Sequence, residues 1–206
     1  MKTILLVDDN PDILLLYAKM IQTCGYEPFT AIDFGETQAI LSGRIPDLIL
    51  LDIMMSPLDG WRILEKLKGD DRTSPIPVLI LTAKIPTFNE ISQYSDRIDD
   101  YIMKPLTRED LCTRLTGAIT RIRELRKRVD SAGHLGIDPA IIEEYRRLSK
   151  KCYLYGVFSH IIPGYPGSEK QTDEYLEIDD FKNFIENFKA EELKFSEIRK
   201  IVEEGV

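Results

Sequence analysis

Residues 48–60 read Leu-Ile-Leu-Leu-Asp-Ile-Met-Met-Ser-Pro-Leu-Asp-Gly, and this stretch decides the fold. Its four leading apolar residues run directly into Asp52. Three other short apolar runs end in the same way on residues that can act on phosphate: residues 4–7 on Asp8 and Asp9, residues 78–81 on Thr82, and residues 101–103 on Lys104. Runs of this kind are typical of strands buried on both faces of a parallel sheet.

Helix signals separate these strands. Asn10-Pro11-Asp12 predicts a helix start, since Asn can cap free amides, Pro suits the first helical position and Asp complements the helix dipole. Similar patterns after each strand give five βα units over residues 1–120. Because parallel crossovers are right-handed, the sequence predicts an α/β fold with a doubly wound five-stranded parallel sheet.

The polar residues at the strand ends form a candidate site. Ligands of such sheets gather at the carboxyl ends of the strands. Three carboxylates (Asp8, Asp9 and Asp52), the Thr82 hydroxyl and the Lys104 ammonium would therefore converge on one crevice. An Asp at one strand end is more often a cap or turn former. The combination, however, is suited to holding a hard divalent cation together with a phosphoryl group.

Residues 1–120 resemble the receiver domain of two-component response regulators, which implies the flavodoxin- or CheY-like fold. Residues 51–60 are similar to the phosphorylation loop of that family, and residues 99–105 are similar to its final strand. The resemblance implies that Asp52 is the phosphoacceptor, supplied by a sensor histidine kinase. It also implies a Mg²⁺ cofactor bound by Asp8, Asp9, Asp52 and the Met54 carbonyl.

The remaining site residues also follow from the resemblance. Lys104, Thr82 and Ala83 would bind phosphoryl oxygens, and Pro105 would follow a cis peptide bond. Thr82 and Tyr101 would form the switch, with Tyr101 turning inward after phosphorylation. Beyond accepting phosphate and losing it slowly, the chain is not expected to be an enzyme.

Two departures from the family pattern concern loops. The proline usually found four residues after the phosphoacceptor is Ser56, and Pro57 follows it. Arg97 stands where the family usually has Gly, and it would be strained if that turn required a positive φ.

Composition limits the class of protein. A net charge of −8 argues against general attraction to nucleic acid or to an anionic membrane. No apolar run is long enough for a membrane span, and the first residues do not resemble a signal peptide, so we expect a cytoplasmic protein with no membrane partner. Three cysteines, at positions 24, 112 and 152, share no metal-like spacing and predict reduced thiols.

The fifth helix continues beyond the receiver domain as a linker over residues 121–132. Its apolar residues repeat at spacings of three and four, and Ile122, Leu125 and Val129 lack a partner within a receiver domain. This seam predicts a homodimer held through the helix and the tail. A basic cluster at residues 121–128 could contact nucleic acid, but a solvated helix face is the favoured explanation, because charged residues are normal at such positions.

Residues 133–206 form a small C-terminal region that is predicted to be mainly helical. Asp138-Pro139 begins a helix, residues 153–162 are compatible with helix or strand, and apolar stripes lie at residues 181–188 and 195–202. With 10 basic and 15 acidic residues, the region lacks a basic recognition helix. Two functions remain open: a response regulator that switches protein contacts, and a transcription regulator with an atypical DNA-binding region.

Overall fold

The computed structural model describes residues 2–161 and 179–204. These residues form two compact units. The first comprises the described residues up to Lys84 together with Arg97–Ala118, and the second comprises Ile85–Asp96 together with the described residues from Ile119 onward. We describe each unit by itself.

The first unit is built on a five-stranded parallel sheet with the strand order β2-β1-β3-β4-β5. Its elements are β1 (Thr3–Val7), α1 (Pro11–Thr23), β2 (Glu27–Ala31), α2 (Phe34–Gly43), β3 (Leu48–Leu51), α3 (Gly60–Lys68), β4 (Val78–Thr82), β5 (Asp100–Met103) and the start of α5 (Arg108–His134). Every residue of β3 and β4 is buried, as expected for central strands covered on both faces. The predicted doubly wound α/β fold is confirmed.

Local capping explains where several helices begin. The Asn10 side chain accepts hydrogen bonds from the amides of Asp12 and Ile13, which confirms the predicted start of α1. Asp59 caps α3 by accepting from the Arg62 amide. No non-glycine residue among those described has a positive φ, so the turn at Arg97 does not require the strained conformation.

Two of the three cysteines are paired. Cys24, at the end of α1, forms a disulfide with Cys112 in α5, with Cα atoms 5.2 Å apart. The prediction of three reduced thiols is therefore wrong for this pair. The prediction fails because the tertiary fold brings together two cysteines that are 88 residues apart in the sequence. The spacing of cysteines along the chain does not indicate that they are close in space. Cys152 is free.

The second unit is helical. It contains α4 (Phe88–Tyr94), the rest of α5, α6 (Pro139–Ile161) and α7 (Asp179–Glu204), and α6 packs along α7. Residues 153–161, which the sequence left open between helix and strand, belong to α6. The Pro-Gly-rich stretch after Ile161 and the side chains of the stripe at 181–185 lie outside the described residues.

The core of this unit covers the seam of α5. Val129 and Ala132 are buried with Tyr145 and Val202, and the partly buried residues packed against this cluster are Leu125, Ile137, Ile141, Ile142, Phe195 and Ile198. Leu125 and Val129 are thus covered by the same chain's C-terminal helices. The homodimer stays a prediction, but these two side chains no longer argue for it.

The units divide the chain differently from the predicted domains. The sequence placed one boundary near residue 120, whereas α4 and its flanking loops, Ile85–Asp96, cluster with the C-terminal helices. Ile91 and Tyr94 of α4 are buried.

In the described part of the chain, no helix combines the length and hydropathy needed to cross a bilayer.

Candidate functional site

The predicted site lies at the carboxyl edge of the sheet in the first unit. β1 and β3 are neighbours, and the strand order reverses between β2 and β3 around β1. This switch point is where parallel sheets of this kind bind ligands. Asp8 and Asp9 follow β1, Asp52 follows β3, Thr82 ends β4 and Lys104 follows β5, so the fold brings the predicted residues to one edge.

Lys104 joins two of the carboxylates. Its Nζ lies 2.5 Å from Asp8 Oδ2 and 3.0 Å from Asp52 Oδ2. Asp8 is 2% exposed and Asp52 is 8% exposed. Ion pairs between side chains this well shielded from water interact strongly, and each partner depends on the others for its charge.

The pKa values reflect this arrangement. Burial is the largest influence on Asp8 and raises its pKa, although Lys104 and the Asn10 amide act in the opposite direction. Burial also opposes the charge of Asp52, but the Met54 amide and Lys104 together lower its pKa. Burial would lower the pKa of Lys104, yet its two carboxylate partners raise it. Asp52 is therefore the carboxylate held in its charged, nucleophilic form.

The loop after β3 holds Asp52 from the backbone side. The Met54 amide donates to Asp52 Oδ1 at 3.0 Å, while the Met54 side chain is 57% exposed. The Ser56 amide donates to Asp9 Oδ2 at 3.0 Å. The Ser56–Pro57 peptide is cis, and so is Lys104–Pro105. Pro57, which is one position later than the usual proline of the family, therefore follows a residue whose amide binds Asp9, one of the predicted metal ligands.

Gly60 supports the same loop, a role that the sequence did not predict. A Cβ at this position would lie 2.0 Å from the Asp52 carbonyl oxygen and 2.6 Å from the Ile53 Cα. Only glycine permits this close approach of two backbone segments. No spacing rule in the sequence indicates this contact.

Thr82 and Tyr101 both point inward. Thr82 is fully buried, and its hydroxyl accepts a hydrogen bond from the Lys84 amide at 3.3 Å. Tyr101 is 1% exposed and donates its hydroxyl hydrogen to the Lys84 carbonyl at 2.7 Å. This is the arrangement that the resemblance associates with the phosphorylated form. Ala83 is exposed.

Arg114 is a second residue that the sequence analysis missed. Its guanidinium donates to Asp100 Oδ1 at 2.5 Å and to the Tyr101 carbonyl at 2.9 Å. Because Asp100 is 1% exposed, this bond gives a buried carboxylate its counter-charge. It ties the start of α5 to the strand that carries Tyr101 and Lys104. Only the adjacency of α5 and β5 in the fold reveals this pairing.

The predicted metal ligands are oxygen atoms, which suit a hard cation, but in this structure the three carboxylates do not all face one point. Asp8 and Asp52 each place an oxygen within bonding distance of one atom, Lys104 Nζ. Asp9 instead faces the Ser56 amide. Among the described side chains, those of residues 2–161 and 186–203, no three of His, Cys, Asp or Glu are grouped as ligands for a metal ion. Carboxylate oxygens are nevertheless the donors that Mg²⁺ prefers.

The comparisons with known proteins agree with this geometry. A family model, the response regulator receiver domain, matches residues 4–116, which is more than half of the chain. The chain belongs to this family. It is 38% identical over 120 residues to the phosphate regulon transcriptional regulatory protein PhoB of Pseudomonas aeruginosa, covering 58% of this chain and 52% of that protein.

Two further proteins are similar. The DNA-binding dual master transcriptional regulator RpaA of Synechocystis is 35% identical over 130 residues, which cover 63% of this chain and 51% of that protein. The receiver domain of the sensor histidine kinase PA1611 of Pseudomonas aeruginosa, with a magnesium ion coordinated in its active site cleft, is 26% identical with a TM-score of 0.52. That match covers 58% of this chain and 98% of the other. The chain spans about half the length of the two curated relatives named here.

Proposed function

We propose that this protein is a response regulator in which Asp52 accepts a phosphoryl group from a sensor histidine kinase, with Mg²⁺, and switches protein contacts. The observation that carries the proposal is the position of the Asp52 carboxylate. It accepts hydrogen bonds from the Lys104 ammonium on Oδ2 and from the Met54 amide on Oδ1, and the buried Thr82 ends the neighbouring strand β4. A carboxylate kept ionised beside a cation and a hydroxyl donor is equipped to attack phosphorus.

Each neighbour has a separate part in that reaction. The Asp52 oxygen attacks the phosphorus of a phosphohistidine, the bond from phosphorus to the histidine nitrogen breaks, and an acyl phosphate forms. Lys104 then donates to an oxygen of the transferred group instead of bridging the two carboxylates. Thr82 donates to a second oxygen, and the Ala83 amide assists. These donors stabilise negative charge that spreads over the transferred group.

The proposed metal ligands are Asp8, Asp9, Asp52 and the Met54 carbonyl. Mg²⁺ bound there would neutralise adjacent carboxylates and coordinate a phosphoryl oxygen. The geometry supports this assignment, because the buried carboxylates of Asp8 and Asp52 share the single ammonium group of Lys104, and a bound cation would supply further positive charge between them. Magnesium in the active site cleft of the PA1611 receiver domain supports it as well.

The proposed switch involves Thr82 and Tyr101. A phosphoryl group adds about −2 of charge and three acceptor oxygens, which favours the inward position of the Thr82 hydroxyl. The inward Tyr101 then bonds the Lys84 carbonyl, immediately before the segment that carries α4. Phosphorylation would thus act by stabilising one of two arrangements of this strand end.

Labelling with acetyl phosphate and Mg²⁺ tests the proposal. The full chain should gain one phosphate, Asp52→Asn should gain none, and the exposed Asp71→Asn should label like the wild type. Asp9→Ala should lose labelling at ordinary Mg²⁺ and recover part of it at high Mg²⁺. The single tryptophan, Trp61 in α3, provides an independent readout of Mg²⁺ binding by fluorescence. Full labelling of Asp52→Asn would overturn the assignment.

A transcription regulator is the second candidate, favoured by the similarity of this chain to the transcriptional regulators PhoB and RpaA. Two arginines of the basic cluster of α5 already have partners within this chain. Arg121 stacks on the Tyr153 ring at 3.3 Å from its centroid, and Arg128 lies 2.5 Å from Glu203. A polarisation assay of phosphorylated protein with upstream DNA across a salt series separates the two functions, since specific binding requires a steep salt dependence and sequence discrimination.

The homodimer is measured independently by light scattering on the full chain. A dimer at micromolar concentration would support the predicted pairing through α5. A monomer would agree instead with the burial of Val129 by the C-terminal helices of the same chain.

A further inference from the structure

The cysteine pair of the first unit has no part in the proposed phosphoryl chemistry. Cys24 is the residue at the C-terminal cap of α1, and Cys112 lies in the second turn of α5. Both are half-buried, so a small reagent in solvent can reach them. The third cysteine differs, because burial raises the pKa of the Cys152 thiol to about 11 and keeps it in the unreactive neutral form.

Non-covalent contacts hold the two cysteine-bearing segments beside each other. The Cys24 amide donates to the Ile21 and Met20 carbonyls, and Gly25, at a φ of 85°, turns the chain away from α1. Two residues after Cys24, the Tyr26 hydroxyl lies 3.4 Å from Thr116 Oγ1, one turn after Cys112. Arg114 anchors the same stretch of α5 to β5. These contacts do not require the disulfide, so the sulfur atoms should stay neighbours when reduced.

We propose that Cys24 and Cys112 form a reversible thiol–disulfide modification site whose substrate class is a low-molecular-weight disulfide. A Cα separation of 5.2 Å lies within the range that a disulfide spans without backbone movement. In a compartment that keeps thiols reduced, cysteines placed at this distance usually respond to the redox state and are not permanent staples.

The reaction is a double exchange. One cysteine thiolate attacks a sulfur of the reagent, its S–S bond breaks, and a mixed disulfide forms as one reagent thiolate leaves. The second cysteine thiolate attacks the protein sulfur of that mixed disulfide, and the second reagent thiolate leaves. The two protons of the protein thiols end on the released thiols. The protein dithiol is oxidised, and the reagent disulfide is reduced to two thiols.

The bond would connect the two helices that follow the first and last strands of the site. α1 begins after Asp8 and Asp9, and α5 begins after Lys104 and Pro105. A disulfide restricts the unfolded chain more strongly the longer the loop that it closes, and this one joins residues 88 positions apart. Oxidation should therefore stabilise the first unit without altering any phosphoryl-binding group.

The test equilibrates the reduced full chain, without oxygen, against mixtures of oxidised and reduced glutathione, then alkylates and digests it for mass spectrometry. The peptides of Cys24 and Cys112 should appear cross-linked at oxidising ratios and separate again with excess reduced glutathione. After alkylation in denaturant, which exposes every thiol, Cys152 should be found alkylated and outside any disulfide at every ratio. The control Cys152→Ser should give the same titration, whereas Cys112→Ser should lose the cross-link entirely and leave Cys24 as a mixed disulfide.

Two results would overturn the proposal. One is alkylation of both cysteines at every ratio, or a bond to Cys152 or to a second chain in place of the expected pair. The other is a cross-linked chain that unfolds at the same or a lower urea concentration than the reduced chain, because a bond formed in the folded position should raise that concentration. Both measurements use the wild-type chain and do not depend on a variant folding.

Discussion

Replacing Lys104 by Met should destabilise the first unit and make it more dependent on Mg²⁺. Lys104 is the shared partner of Asp8 and Asp52, at 2.5 and 3.0 Å, and its side chain is 11% exposed. Methionine preserves the bulk of the aliphatic stem and removes the charge. The change therefore leaves two shielded carboxylates facing each other.

The magnitude follows from the burial of the three groups. Breaking a buried ion pair by removing one partner costs about 3–5 kcal/mol. Here the cost is reduced, since Asp8 already has a raised pKa and can take up a proton when its counter-charge is lost. We expect a loss of about 2–3 kcal/mol in the free energy of unfolding near neutral pH. The exposed Lys19→Met, on α1, is the matched control and should change stability by less than about 0.5 kcal/mol.

Urea unfolding followed by Trp61 fluorescence measures the effect in the unit that contains the site. Asp8→Asn should offset part of the loss when combined with Lys104→Met, because it removes one of the two repelling charges. Millimolar Mg²⁺ should stabilise Lys104→Met more than the wild type. If Lys104→Met is as stable as Lys19→Met without Mg²⁺, the carboxylates do not depend on this ammonium and the electrostatic argument fails.

Three further predictions concern other parts of the chain. Gly60→Ala should cost more than about 2 kcal/mol and reduce phosphorylation of Asp52, because a Cβ would press on the Asp52 backbone at 2.0 Å; urea unfolding and acetyl phosphate labelling measure both effects. Hydrogen bonding to Arg147 lowers the pKa of Glu144 to about 2, so its contribution to stability is present above the unfolded value and is lost as the pH falls from about 4.5 to about 2; in urea unfolding at a series of pH values, the difference between the wild type and Glu144→Gln should be full above this window, shrink within it and vanish below it. Met54→Asn should shorten the lifetime of the phosphoryl group, since the methionine sulfur is only a weak acceptor for an attacking water; release of labelled phosphate measures it.

Each of these has a contrary outcome. A Gly60→Ala variant with normal stability and labelling would mean that the loop and α3 separate easily. Wild type and Glu144→Gln that differ equally at all pH values would show that packing, and not charge, accounts for the residue. Rapid phosphate release from the wild type, unchanged by Met54→Asn, would refute the expected slow loss.

Much of the fold was predictable from local pattern. Short runs of Ile, Leu and Val identify the buried parallel strands, and they are followed by Asp8, Asp52 and Thr82. Asn10 marks the start of the first helix. Because the chemical groups follow the strands directly, locating the strands also locates the carboxyl edge. Chain periodicity and capping are short-range properties, which is why one sequence sufficed for them.

Contacts between distant segments were decided only by the tertiary structure. The Cys24–Cys112 bond, the Arg114–Asp100 pair and the approach of Gly60 to Asp52 each join residues whose types carry no signal of the partner. The seam at Val129 is the clearest case, since an apolar helix face predicts burial but not what covers it. In the structure, Val129 is buried in one cluster with Val202, which lies 73 positions later in the same chain. A side chain's hydrophobicity is a local property, whereas its partner depends on how the whole chain closes.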